Sequence, residues 1–121
     1  MLEKRISVRT NMLCVRAGVS EEGESWTNVD VRDISDGGLS FTSRKVLKKD
    51  SFMKFEGDVS DYMIRSMDIS CDIQITFVKE DDKGGGYLYG ARFLNLTNAQ
   101  RTSLSIFIEL MVTKFPDLME I

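Results

Sequence analysis

The sequence predicts a mainly β domain: a small antiparallel barrel followed by one C-terminal amphipathic α-helix. Three observations predict it. Polar and apolar residues alternate through residues 68–79, the period of a half-buried strand. Turn-forming clusters separate several such segments at short spacing, which implies sequential antiparallel strands, and closure into a barrel removes their edges. After Thr97 the period changes to three and four, that of a helix with one buried face. The chain has 121 residues, 42% hydrophobic and 29% charged, the size and balance of one globular domain.

Residues 1–10 are polar and basic without a sustained period and read as a flexible, extended N-terminal arm. Residues 12–17 form the first predicted strand. Glu21, Glu22, Gly23 and Glu24 make a turn, because charge and glycine cannot join a core there. β-Branched and aromatic residues in 26–34 predict the next strand, and Asp36-Gly37-Gly38 breaks it. Residues 39–42 alternate as a half-buried strand.

A connection over 43–50 carries Arg44, Lys45, Lys48 and Lys49, read as a solvated segment rather than a nucleic-acid contact. Residues 52–56 are a short strand, and 59–67 fit loop or strand equally. In 68–79, Ile69, Cys71, Ile73, Ile75 and Phe77 fall on one face. Residues 80–86, ending in three glycines, are a hairpin tip, and 87–96 return as a strand.

Thr97 and Gln100 have the spacing of a capping box. Leu104, Phe107, Ile108, Met111, Val112 and Phe115 then make the apolar stripe, and Pro116 stops the helix. The predicted organisation is an arm over 1–10, a barrel over 11–96 and a helix over 97–116.

Composition excludes several functions. The chain has no histidine, which removes histidine-dependent triads and the usual general base at neutral pH, so no enzyme and no catalytic residue is expected. Two cysteines without histidine make no structural zinc site, and no metal or cofactor is expected. Cys14 and Cys71 read as buried, reduced thiols. Asp30, Asp33 and Asp36 are spaced by three, not by the two of a calcium loop, and Gly84-Gly85-Gly86 lacks the Gly-Lys-Ser/Thr of a phosphate loop. The apolar run in 104–112 is too short to span a bilayer and contains Glu109, so no membrane insertion is expected. The charged start Glu3-Lys4-Arg5 is unlike a secretory leader, which places the chain in the cytoplasm. A net charge of −3 argues against a nucleic-acid polymer as partner.

Two spaced patterns remain. Arg5 and Arg9 form R-x-x-x-R in the arm, and Asp33, Ser35 and Gly38 form D-x-S-x-x-G at a strand-to-strand turn. By average composition each pattern occurs by chance, in roughly a quarter and roughly one in twenty chains of this length. Their combination is sharper, because the arginines precede the first strand and the turn follows a later one.

That order resembles the PilZ domain family, bacterial receptors for cyclic di-GMP. Residues 33–41 resemble its signature turn and following strand, residues 89–94 its late G-x-R-F strand, and the terminal helix comes where the family has one. The resemblance implies a six-stranded antiparallel barrel whose surface binds a cyclic dinucleotide. It implies that Arg5 and Arg9 hold guanine and phosphate, that Asp33 and Ser35 read base and phosphate edges, and that Gly38 shapes the turn. Lys4 would add charge beside Arg5 and bear on ligand stoichiometry.

The chemistry agrees. Guanine offers an O6/N7 acceptor pair to an arginine fork and a face on which guanidinium stacks. Asp33 can accept from its N1–H and N2 amino group, and Ser35 can donate to a phosphate. Gly38 gives a positive-φ turn or close approach of a ligand. Two arginines four apart in an extended arm lie up to about 14 Å from each other, so both reach one compact ligand. The implied function is a binding switch in which the ligand pins the arm and changes the surface shown to an effector protein. The rival reading is an interaction module on the same fold that binds no nucleotide.

Overall fold

The computed structural model describes residues 7–9, 14–60, 66–81, 85–114 and 119–120. The elements in chain order are β1 (Ser7–Arg9), β2 (Cys14–Ser20), β3 (Thr27–Ser35), β4 (Gly38–Ser43), β5 (Phe52–Ser60), β6 (Ser66–Asp81), β7 (Gly86–Phe93), α1 (Asn98–Lys114) and β8 (Met119–Glu120). Neighbouring strands run β2-β5-β6-β7-β4-β3, and a β2–β3 pairing closes these six into the predicted antiparallel barrel.

Strand β3 changes partner along its length. Thr27–Val29 pair with β2, whereas Asp33–Ser35 pair with β1, and β8 adds outside β1. Where β3 leaves β2, its edge groups would otherwise lack backbone partners, and β1 supplies them. Part of the segment expected as an arm is therefore paired strand at residues 7–9. Lys4, Arg5 and the rest of 1–6 lie outside the described residues.

Alternation accounts for the core. Val29 and Val31 of β3, Phe41 of β4, Phe55 of β5, Ile69, Cys71, Ile73 and Ile75 of β6 and Tyr89 of β7 are buried. The expected run of five inward residues in β6 is corrected at its end. A register shift between Ile75 and Phe77 makes Thr76 an extra residue, and Phe77 emerges 48% exposed instead of following Ile75 inward. A bulge does this because one inserted residue reverses the phase of every side chain beyond it. Residues 61–65, within the segment without a clear assignment, lie outside the described residues, but β5 and β6 run up to them, with Ser60 opposite Ser66.

The capping box is present. Gln100 N donates to Thr97 Oγ1 at 3.1 Å, and Thr97 N donates to Gln100 Oε1 at 3.1 Å. Leu104, Phe107 and Ile108 of the expected stripe are buried, and α1 packs on β1, β3 and β6. The side chains of Met111 and Val112, and all of Phe115, lie outside the described residues.

The charged connection is anchored rather than loose. Leu47 is buried, and the Tyr89 hydroxyl accepts from Leu47 N at 2.8 Å and donates to Lys45 O at 2.7 Å. Both polar ends of that buried contact are thus satisfied.

Cys71 is buried and unpaired by any disulfide, and burial, with Asp72 beside it, pushes its thiol from 9.0 up to about 11. At pH 8 that lowers its thiolate fraction about a hundredfold, so Cys71 should alkylate about a hundredfold more slowly in the native protein than after denaturation. Peptide mapping after timed iodoacetamide treatment measures it, and equal labelling in both states would contradict the burial. The sign for stability follows. The unfolded thiol ionises near pH 9 and the folded one near 11, so this contribution is full below pH 9 and is lost as pH rises from 9 to 11.

Candidate functional site

The turn between β3 and β4 carries Asp33, Ser35 and Gly38, and each is placed by a separate local cause. Val29 and Val31 point inward, so strict alternation would send Asp33 into the core after them. A register shift between Val31 and Asp33 against β4 intervenes, and Asp33 comes out half-buried while Ile34 takes the inward place. The bulge therefore spares the carboxylate the cost of complete burial.

Ser40, opposite Asp33 on β4, donates its hydroxyl to Asp33 Oδ2 at 2.5 Å. A hydrogen bond to a carboxylate is short and strong, and it fixes the acid's orientation. Ser35 is 4% exposed. Its Oγ donates to Gly38 O at 3.2 Å and accepts from Gly37 N at 3.4 Å, which folds the turn on itself.

Gly38 is glycine for a reason the sequence does not disclose. It is not among the described residues with positive φ. A Cβ there would lie 2.1 Å from Ala91 O, because the β7 backbone passes directly against it. Gly37 O accepts from Phe93 N at 3.0 Å and helps to hold that approach.

A pocket of about 200 Å³ opens over this turn, and its walls include Asp33, Ser35, Gly38, Ser40, Thr76 and Gly90. Strand β1 crosses beside it. Its register sets Ser7 opposite Ser35 and Arg9 opposite Asp33. The fold thus brings together four of the six residues singled out from the sequence or sets them in adjoining strands: Arg9, Asp33, Ser35 and Gly38. Ser40, Thr76 and Gly90 were missed. The alternation of 39–42 does put Ser40 on the outward face, but its pairing with Asp33 depends on a bulge that local periodicity does not show.

A larger hollow of about 410 Å³ lies elsewhere, walled by Trp26, Asn28, Glu56, Asp58 and Asp68 among others. Its three carboxylates make it unsuited to an anion. Among the described residues, no group of three or more acidic or cysteine side chains is arranged to hold a metal ion. No helix among them is long and apolar enough to cross a membrane.

Comparison with known proteins bears on this arrangement. The family model for the PilZ domain matches residues 3–110, spanning the arm, the turn and most of the helix. This chain belongs to the PilZ domain family.

Solved structures with this PilZ fold include the motility inhibitor MotI/DgrA of Bacillus subtilis, at 13% identity and TM-score 0.74, covering 94% of this chain and 53% of that one. The PilZ domain of Escherichia coli YcgR with c-di-GMP matches at 14% identity and TM-score 0.64, covering 94% of each chain. The K. pneumoniae MrkH–c-di-GMP complex matches at 14% identity and TM-score 0.72, covering 97% of this chain and 56% of that one. At these identities the likeness is one of fold, and this PilZ chain spans about half the length of MotI/DgrA and of MrkH. No curated protein sequence matches it.

Proposed function

We propose that this PilZ domain is a receptor for cyclic di-GMP and acts by a binding switch rather than by catalysis. The observation that supports the reading is the β1–β3 register, in which Arg9 is paired with Asp33, one of the residues that wall the pocket with Ser35, Gly38 and Ser40. A cation and an anion on adjoining strands suit a ligand that presents both phosphate charge and guanine edges. The c-di-GMP in the YcgR and MrkH structures supports the same ligand class.

In this reading Arg9 and Arg5 hold guanine and phosphate, and Asp33 takes the N1–H and N2 donors of a base. Ser35 keeps the turn in shape and turns its hydroxyl to a phosphate on binding. Gly38 keeps β4 close to β7, and Lys4 adds charge beside Arg5. The part of the arm before β1, residues 1–6, closes over the ligand, and the altered surface engages an effector protein in control of motility, exopolysaccharide or adhesion. The compartment is the cytoplasm, in keeping with a buried, unbridged Cys71.

Calorimetric titration of cyclic di-GMP into the intact protein and an Arg9→Ala variant tests the reading. Saturable micromolar or tighter binding is expected, with a loss of about a hundredfold in the variant, since a charged, bidentate partner is removed. No binding by the intact protein would overturn it and leave a protein-interaction module on the PilZ fold.

A further inference from the structure

The row of residues that contains the site continues beyond the pocket. Arg9 stands opposite Asp33, Asp33 opposite Ser40, Ser40 opposite Gly90 and Gly90 opposite Phe77. Five neighbouring strands, β1, β3, β4, β7 and β6, each contribute one residue to a single line across the sheet. Two bulges build that line. One, in β3, brings Asp33 out of the core, and the other, in β6, brings Phe77 out. Without either, the corresponding side chain would point into the barrel.

Phe77 has no work in the core. It is 48% exposed, whereas Ile73 and Ile75 before it are fully buried. It stands beside bare backbone: a Cβ on Gly90 would meet Phe77 Cβ at 3.1 Å and Thr76 Oγ1 at 3.7 Å. Gly90 and Thr76 both line the pocket with Asp33, Ser35 and Ser40. The neighbouring aromatic, Tyr89, is fully buried, with its ring against Phe41 and its hydroxyl bonded to the 44–51 connection. Phe77 is therefore the exposed aromatic ring of this row, at one border of the pocket, while the carboxylate and the arginine position lie at the other. Phe77 is two strand spacings from Ser40, about 10 Å, so a flat bicyclic ring lying over Gly90 spans the gap.

We propose that Phe77 is the stacking wall of the site and Gly90 its open floor. One purine lies against the phenyl ring over bare backbone, and its edge is directed at Asp33, whose carboxylate Ser40 orients. The assignment rests on the cyclic dinucleotide reading above and adds a residue outside both sequence motifs. It also gives a use to the bulge at Thr76, which turns Phe77 toward the face that carries the pocket.

The test is calorimetric titration of cyclic di-GMP into the intact protein, Phe77→Leu and Phe77→Trp, with the thermal midpoint of each recorded. Leucine keeps apolar bulk and removes the π face. We expect Phe77→Leu to bind about tenfold more weakly, the loss typical of one unstacked base, and Phe77→Trp to bind at least as tightly as the intact protein. Thermal midpoints should stay together, since the ring is outside the core. Unchanged affinity in Phe77→Leu, with the intact protein binding, would overturn the stacking wall and leave the receptor reading standing. Equal loss in both variants would overturn stacking in favour of a fit by shape. No binding by the intact protein would overturn both.

Discussion

Replacing Gly38 with alanine is expected to destabilise the domain by about 3 kcal/mol or more, at the upper end of overpacking effects. The reason is geometric. The added methyl would sit 2.1 Å from Ala91 O and 3.1 Å from Ala91 C, both backbone atoms. A flexible side chain could swing away, but here two strands must part. The backbone at risk joins β4 to β7 in the barrel wall and positions Gly37 O for Phe93 N. Against a total stability of about 5–15 kcal/mol for a typical domain, the loss is severe. Gly85→Ala is the matched control. Gly85 has φ +70°, and a methyl there would meet nothing within 4 Å, so only backbone strain of about 1–2 kcal/mol is expected. Urea unfolding of both variants measures the difference. If Gly38→Ala unfolds within about 1 kcal/mol of the intact protein, the β4–β7 approach is not the reason for glycine.

The parts of this structure legible in the sequence are those set by local rules. Alternation through Ile69, Cys71, Ile73 and Ile75 is a property of one strand and one buried face, and those four residues are buried. The Thr97–Gln100 cap depends on residues three apart, and both of its hydrogen bonds are present. What escaped is set by the partner strand. A bulge is a mismatch between two registers, so the outward turn of Phe77 is not written in its own segment. The need for glycine at 38 comes from Ala91, 53 positions on, and the place of Arg9 comes from its pairing with a strand more than twenty residues away. The motif residues were found by type and spacing; Ser40, Thr76 and Gly90 join them only through long-range pairing.

On the receptor reading proposed above, Asp33→Asn is expected to weaken cyclic di-GMP binding by about a hundredfold while changing stability by less than about 1 kcal/mol. Guanine presents two adjacent donors, N1–H and the N2 amino group, and a carboxylate accepts both with charge assistance. An asparagine offers one oxygen and turns an NH2 toward the second donor, so one bond is lost and a clash of donors replaces it. The fold should tolerate the change, because Asp33 is half-buried on the outer face and the bulge, not the charge, sets its direction. Ser40→Ala separates orientation from recognition. It removes the hydroxyl 2.5 Å from Asp33 Oδ2 but leaves the carboxylate in place. Its loss should be smaller, about five- to tenfold, the worth of one hydrogen bond that fixes the acid's direction. Titration of each variant, with unfolding curves alongside, gives the ordering. Asp33→Asn binding as tightly as the intact protein would show that the base edge is read elsewhere along the row. A Ser40→Ala loss as large as that of Asp33→Asn would make Ser40 a direct ligand contact rather than a residue that positions Asp33.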